Sequence, residues 1–278
     1  MTAPETPPAA PVNGWHQRPN GPDFHLRFAT TAPGCEATFN RPQAIAAESC
    51  ISRPAIARAN LAVSTEYPDG NGSYAAPYED YTVLQQHVLF WDRDRDGEIF
   101  PTDTYHGFRE LGFSLFFSAL SAFIIHFGFS YVTRLQYSYI PDPWFRIYVG
   151  GIHKAKHGSD SNTYDIEGRF VPQAFEDMFS KWDDGNKGRL SLSDLCRMVQ
   201  GNRLAGDPFG WFAAIFEWGT TWLLLAGADG MISKEDVRRV YDGSIFWYIR
   251  STRRQGGRWE RGVGPRDIVR FVGGHTTK

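Results

Sequence analysis

Hydrophobic periodicity is nearly absent from the first part of the chain and begins at Tyr81. Residues 1–74 are rich in Pro, Ala, Ser, Thr and Gly, a composition that buries too little apolar surface to offset chain entropy, so a disordered or loosely packed arm is expected there. From Tyr81 onward, Leu84, His87, Val88 and Trp91 fall on one face at helical spacing. A second helix is expected from Thr104 through Phe108 into Leu111–Thr133, a stretch of about 23 residues without Asp, Glu, Lys or Arg, long enough to cross the ~30 Å core of a bilayer. Small and polar residues dilute it, and His126 lies within it. Insertion into a membrane or lipid monolayer competes with a buried, aromatic-lined core helix. Arg134 closes the stretch, and Pro141-Asp142-Pro143 breaks any helix, which turns the chain back instead of across. A second apolar stretch, Phe209–Ala226, carries Trp211, Trp218 and Trp222 with Glu217 in its middle, and reads as an interfacial or core helix. Seven arginines lie among glycines from Arg250 to Arg270, either a solvated tail or an attraction for anionic head groups.

Between the first two helices stands the segment with the most chemistry, Asp92-Arg93-Asp94-Arg95-Asp96-Gly97-Glu98-Ile99-Phe100-Pro101-Thr102-Asp103. Calcium takes about six to eight oxygen ligands, and a twelve-residue loop of the EF-hand type supplies them at fixed positions. Asp92, Asp94 and Asp96 fill the first, third and fifth positions, and Gly97 the sixth, where the chain turns sharply. Glu98 offers its backbone carbonyl, and Ile99 is placed to pair loops across a short strand. The last position holds Asp103 where a bidentate Glu is usual. Its shorter arm and the neighbouring Arg93 and Arg95 predict a weak site, micromolar or poorer. Asp183–Asp194 and Leu225–Asp236 repeat the loop skeleton with their glycines and apolar residues, but the first has Gly185 and Lys187 where carboxylates should be and the second starts on a leucine, so both read as helix–loop–helix units without calcium.

Net charge is −2, which suggests neither nucleic acid nor an acidic class of partner. Cys35, Cys50 and Cys196 share no metal spacing and fit a reducing compartment. No secretory signal is visible at the N-terminus, so membrane contact is expected from internal segments. Of eight histidines, two contexts stand out. His87 sits on the apolar face of the helix entering the calcium loop, where a satisfied core histidine is the bland reading. His153 and His157 are spaced i, i+4 in Ile152-His153-Lys154-Ala155-Lys156-His157-Gly158-Ser159-Asp160-Ser161, without the cysteines or the intervening Glu of a zinc site. A histidine flanked by lysines also suits a haem pocket.

Several blocks, in order, resemble the caleosins: Leu84-Gln85-Gln86-His87, Asp92 to Gly97, Gly107-Phe108-Arg109 with Leu111-Gly112-Phe113, and the Ile152–Ser161 string with Tyr164-Asp165 and Glu167-Gly168-Arg169-Phe170. Gly201-Asn202-Arg203, Asp207 to Trp211 and Glu217-Trp218-Gly219 continue the likeness, which spans roughly Tyr81 to Tyr248. The resemblance implies a lipid-droplet or endoplasmic-reticulum membrane protein, in part cytosolic, with one calcium-binding loop. It also implies a haem b peroxygenase that moves oxygen from fatty-acid hydroperoxides to unsaturated fatty acids. His87 and His157 match the family's haem-associated histidines, and His153 a further one. The chain departs from the family at Asp103 and in a proline knot reduced to Pro141 and Pro143, as in fungal members.

The expected fold is mainly α, with EF-hand-like units around an apolar pocket and a lipid-inserting helical segment. The expected division is an arm (1–74), a calcium hand (75–110), an apolar segment (111–146), a haem-associated region with degenerate hands (147–250) and a basic tail (251–278). The competing functional reading is a non-catalytic, calcium-modulated protein of the droplet surface. A soluble calcium sensor would need paired competent loops, and only one is present.

Overall fold

The computed structural model describes residues 43–255, and the basic stretch beyond Gln255 and the first 42 residues lie outside that range. The fold is mainly α, as expected. In chain order it has α1 (Ala46–Cys50), α2 (Gly72–Ala75), α3 (Val83–Val88), β1 (Glu98–Ile99), α4 (Pro101–Glu110), α5 (Leu115–Arg134) and β2 (Ile147–Tyr148). A 3-10 segment (Val149–Ala155) follows. Then come α6 (Pro172–Trp182), β3 (Arg189–Ser191), α7 (Leu192–Gly201), α8 (Pro208–Leu225), β4 (Met231–Ser233), α9 (Lys234–Asp242) and α10 (Ser244–Gln255).

Local chemistry sets the helix starts. Thr82 opens α3 by accepting from the Gln85 amide at 3.3 Å, while the Gln85 side chain accepts from the Thr82 amide at 2.8 Å. Ser191 and Asp194 make the same reciprocal pair at the start of α7. Ser114 and Asp207 cap α5 and α8.

The strands pair the loops in twos. β3 and β4 are antiparallel, with Leu190 opposite Ile232, so the two carboxylate-poor loops are joined to each other. Ile99 also pairs across a short strand, but its partner is Ile147 on β2, after the Pro141–Pro143 break, and not another loop of the same kind. Val83, Phe175, Leu190, Met198, Ile232 and Tyr241 belong to one core beneath the β3–β4 pair. A second core, with Phe90, Phe108, Phe113 and Phe246, lies under the first loop.

Two expectations are corrected. The part of the arm from Gln43 to Tyr74 is packed, not loose: Ala62 and Val63 are buried, and Arg238 donates to the Ala62 carbonyl at 2.7 Å. Lys234 bridges Glu66 and Glu176 at 2.8 and 2.7 Å, and the Gln86 side chain donates from Nε2 to the Asn60 carbonyl. These contacts join residues far apart in sequence, which composition does not register. Nor does the apolar stretch run on from α4: the chain turns at Gly112, whose φ of +94° favours glycine, and α5 starts only at Leu115.

α5 is inverted relative to a helix of a water-soluble core. Ser118, Ser121, His126, Ser130 and Thr133 face inward and are buried, while Phe116, Phe123 and Phe127 are 69%, 66% and 71% exposed. Inside, His126 bonds Thr104 of α4 at 2.7 Å and the Phe145 carbonyl at 2.6 Å. By length and composition it is the single helix, among the described residues, apolar enough to cross a membrane.

Candidate functional site

The first loop is built as a cation cradle. Arg95 and Gly97 take positive φ values of 62° and 85°, which curls the backbone around the Asp92, Asp94 and Asp96 side chains. One oxygen from each of these three lies within 4.8 Å of the others. The Gly97 amide donates to Asp92 Oδ2 at 3.1 Å, while Asp92 Oδ1 is buried and has no hydrogen-bond partner among the described residues. Burial, with the Asp96 and Asp94 charges behind it, pushes the Asp92 carboxyl above its usual range. A buried, partnerless oxygen among three carboxylates fits a hard divalent cation. The two other expected ligands are used differently. Asp103 Oδ2 accepts from the Phe100 amide at 2.9 Å at the start of α4, and the Glu98 side chain is paired with Arg146 at 2.6 Å, which leaves Glu98 its backbone carbonyl. Arg93 is drawn away to Glu110 at 2.9 Å.

Beside this loop a cavity of about 580 Å³ opens between α3, α5, α8 and α9. Its walls are largely aromatic and aliphatic, among them Trp91, Phe108, Phe113, Phe129 and Phe216, and the size suits a bound organic molecule. Both His87 and His157 line it. His87 comes from α3, five residues before the acidic loop, and its Nδ1 lies 2.6 Å from the Val240 carbonyl. That contact makes Nδ1 the donor and leaves Nε2 as a free lone pair. Burial pushes this imidazole below its usual pKa, so it is neutral near pH 7.

His157 is shifted in the opposite direction. Its Nε2 lies 3.6 Å from Glu217 Oε2 on α8, and its Nδ1 is buried without a hydrogen-bond partner among the described residues. Burial alone would lower its pKa, but the Glu217 hydrogen bond and charge, with Asp160 and Asp207 behind, outweigh it and the pKa is raised. The loop carrying His157 is fixed by Asp207, which accepts from the Ser159 amide at 2.9 Å and hydroxyl at 2.7 Å while capping α8. His153 is not among the residues that line the cavity.

Sequence reasoning missed the polar end of this cavity. Glu217 counted only as an interruption of an apolar helix, although a lone carboxylate in such a helix is itself a signal for a buried partner. Tyr164 and Tyr241 also line the cavity; the Tyr164 hydroxyl donates to the Tyr241 carbonyl at 2.6 Å, and Ser161 bonds the Tyr241 hydroxyl at 2.7 Å. Burial pushes the Tyr241 phenol up to about 12, so it remains a proton-bearing group.

The sequence profile described as "Caleosin related protein" matches residues 79–250, a span that holds the acidic loop, α5, both cavity histidines and Glu217. A protein named "Peroxygenase" from Lilium longiflorum is 39% identical over 217 residues, covering 78% of this chain and 89% of its own. "Probable peroxygenase 4" from Arabidopsis thaliana is 39% identical over 170 residues, 61% of this chain and 86% of its own. A "Probable inactive peroxygenase-like protein" from the same plant is 32% identical over 149 residues, 53% of this chain and 69% of its own. No solved structure matches significantly. The chain belongs to the caleosin family.

Proposed function

We propose that this protein is a calcium-binding haem peroxygenase, an oxidoreductase that transfers one oxygen atom from a fatty-acid hydroperoxide to an unsaturated fatty acid at a lipid surface. The observation that carries the reading is the pair of histidines on one apolar cavity, one with its Nδ1 tied to a carbonyl and its Nε2 free, the other with its Nε2 beside a carboxylate and its Nδ1 without a partner among the described residues. The names of the lily and Arabidopsis relatives support the same activity.

The residues fit haem b. An imidazole whose Nδ1–H is tied to a carbonyl is the arrangement that presents Nε2 to a metal, so His87 would hold the iron. The apolar walls suit a porphyrin. Haem, when bound, supplies the redox chemistry that splits an O–O bond. The protein supplies the proton transfer. His157 accepts the proton from the hydroperoxide's terminal oxygen and returns it to the inner oxygen, which leaves as an alcohol. The terminal oxygen goes to the acceptor's double bond or C–H, so atoms balance without a further reductant. Glu217 stabilises the imidazolium that forms on His157 in between, and the cavity excludes water that would compete for oxygen.

Calcium, held by Asp92, Asp94, Asp96 and the Glu98 carbonyl, would fix the loop that follows the His87 helix. The outward aromatic face of α5 supports contact with a droplet or endoplasmic-reticulum membrane. A purely structural role at that surface leaves the His157–Glu217 pair without an account. The test is the absorption spectrum of the haem-reconstituted protein beside His87→Val and His157→Val. A Soret band in the parent, lost in His87→Val, and retained but with little hydroperoxide-dependent oxidation of oleate in His157→Val, is the expected outcome. A parent that stays colourless after reconstitution sinks the peroxygenase reading.

A further inference from the structure

We infer that acyl chains enter the cavity sideways from a lipid phase, through a mouth between α5 and α8 at Gly128; the inference deepens, and rests on, the peroxygenase reading. Phe127 and Phe212 each belong to two surfaces at once. They are 71% and 50% exposed on the outside of the molecule, and they also line the cavity. Phe123 and Phe209 do the same, at 66% and 48%. The cavity therefore opens in the middle of the apolar face that α5 presents outward, not onto a polar surface. Phe116 and Leu120 on α5 and Ile215 on α8 continue that face around the mouth. In water such an opening leaves aromatic surface hydrated at a cost, whereas against hydrocarbon it is continuous with the solvent the substrate already occupies.

Gly128 is the narrow point. A Cβ there would lie 2.9 Å from Cζ and 3.0 Å from Cε2 of Phe209, so a side chain at this position would have to displace the Phe209 ring that stands in the mouth. α5 keeps its small and polar residues on the buried side and rings outside, yet at the mouth it places a glycine between two phenylalanines, Phe127 and Phe129.

The lining chemistry sets which end of the substrate enters. Lys156 is the one Lys or Arg among the lining residues, and it is paired with Asp160 at 2.6 Å. Glu217 and Asp160 add negative charge to the same lining. His157, the other basic group whose pKa is raised, already faces Glu217, so a fatty carboxylate finds no free cation there; the chain enters methyl end first and leaves its carboxylate or ester at the lipid surface. Free and esterified acyl chains share this route.

The experiment uses the full chain bound to phosphatidylcholine vesicles containing a fatty acid with a diazirine on its acyl chain. After a light pulse, labelled residues are mapped by mass spectrometry. In the parent, label is expected both on the outer face at Phe116 and Leu120 and inside at Phe108, Trp91 and Tyr164. In Gly128→Leu, interior label should fall about tenfold relative to outer-face label, the scale of an overpacked contact. The outer label serves as an internal control for vesicle binding. Phe127→Glu, at an exposed position that does not threaten folding, should lower the same ratio by placing charge in the mouth. An unchanged ratio in both variants, or interior label that appears equally without vesicles, overturns the mouth. A diazirine phospholipid run in parallel separates esterified from free chains. The labelling does not require haem. Interior label that falls as expected in a protein without a Soret band leaves the mouth standing and the peroxygenase reading lost, while unchanged label in an active protein does the reverse.

Discussion

The loops at Asp92–Asp103 and Asp183–Asp194 share one backbone plan and solve its electrostatics in opposite ways. In each, a buried aspartate at the first position accepts from the amide of the sixth, Gly97 at 3.1 Å and Gly188 at 2.6 Å, and both glycines have positive φ. At the fifth position the first loop has Asp96 and the second Lys187. The Lys187 ammonium lies 3.8 Å from Asp183 Oδ1 and 3.4 Å from Asp194 Oδ2, a cation supplied by the chain in the place where an ion would sit. The carboxyls respond accordingly. Burial and like charge push Asp92 above its usual range. Asp194, although burial works against its charged form, is held below the usual range by Ser191, Arg197 and Lys187. One turn geometry therefore serves a loop of three clustered carboxylates and a loop that carries its own ammonium. The fold does not distinguish them; the third and fifth positions do, with Asp94 and Asp96 in the first loop and Gly185 and Lys187 in the second.

Calcium itself gives the largest test of this contrast. An ion that binds only the folded state at a hundred times its Kd adds about 2.7 kcal/mol of stability. The parent should show a calcium-dependent rise in thermal midpoint of that order, and Asp92→Asn should show none. Asp183→Asn should lower stability while leaving the calcium increment intact. A calcium increment that disappears on changing Asp183 would mean that the second loop also takes an ion.

Lys187→Met comes next. It removes the partly exposed ammonium that faces Asp183 and Asp194, both with nearly inaccessible side chains, and should cost about 1–2 kcal/mol in urea unfolding, the lower part of the penalty for a buried polar group left without its partner. Lys187→Asp should instead restore a calcium response to the second loop, since it rebuilds the carboxylate at the fifth position. A neutral Lys187→Met would show that Arg197, 2.5 Å from Asp194, suffices alone.

These loops also mark what the sequence discloses. The spacing of Asp92, Asp94, Asp96 and Gly97 is local, so the first loop was legible, as were the two repeats without their carboxylates. The apolar length of α5 and the His87 and His157 motifs were legible for the same reason. Contacts between distant residues were not. Nothing near Asn60 or Ala62 reveals that they meet Gln86 and Arg238, and nothing near Glu217 reveals His157. Lys187 looked like a lost ligand because a sequence reading counts carboxylates and does not see an ammonium reaching two of them. Asp103 looked like a poor ligand, while in the structure it also caps α4.

pH gives a smaller, signed test. A carboxyl whose folded pKa is depressed contributes stability that is present above its unfolded value, ~3.9, and lost as pH falls through the folded one. Asp194 is such a group, so its interactions should hold through neutral and mildly acid pH and fail only below ~pH 4. Lys187→Met should move the acid-unfolding midpoint to higher pH by removing one of the groups that depress it. An identical acid limb in parent and variant would mean that the ammonium contributes little to the folded Asp194 pKa.

The smallest effect is expected at the last position of the first loop, where structure and ligation compete for one carboxylate. Asp103 Oδ2 accepts from the Phe100 amide at 2.9 Å and so holds the start of α4. A glutamate at this position can accept from the same Phe100 amide, and its extra methylene brings both oxygens toward the ion. Asp103→Glu should therefore keep α4 intact and tighten calcium by about three- to tenfold, up to ~1.4 kcal/mol, as read by isothermal titration. The equivalent change in the second loop, Asp194→Glu, has no ion to grip and should lengthen a contact already made to Lys187 and Ser191, for no gain. If Asp103→Glu leaves affinity unchanged, the twelfth position is not a direct ligand here, and the contrast between the loops narrows to the third and fifth positions.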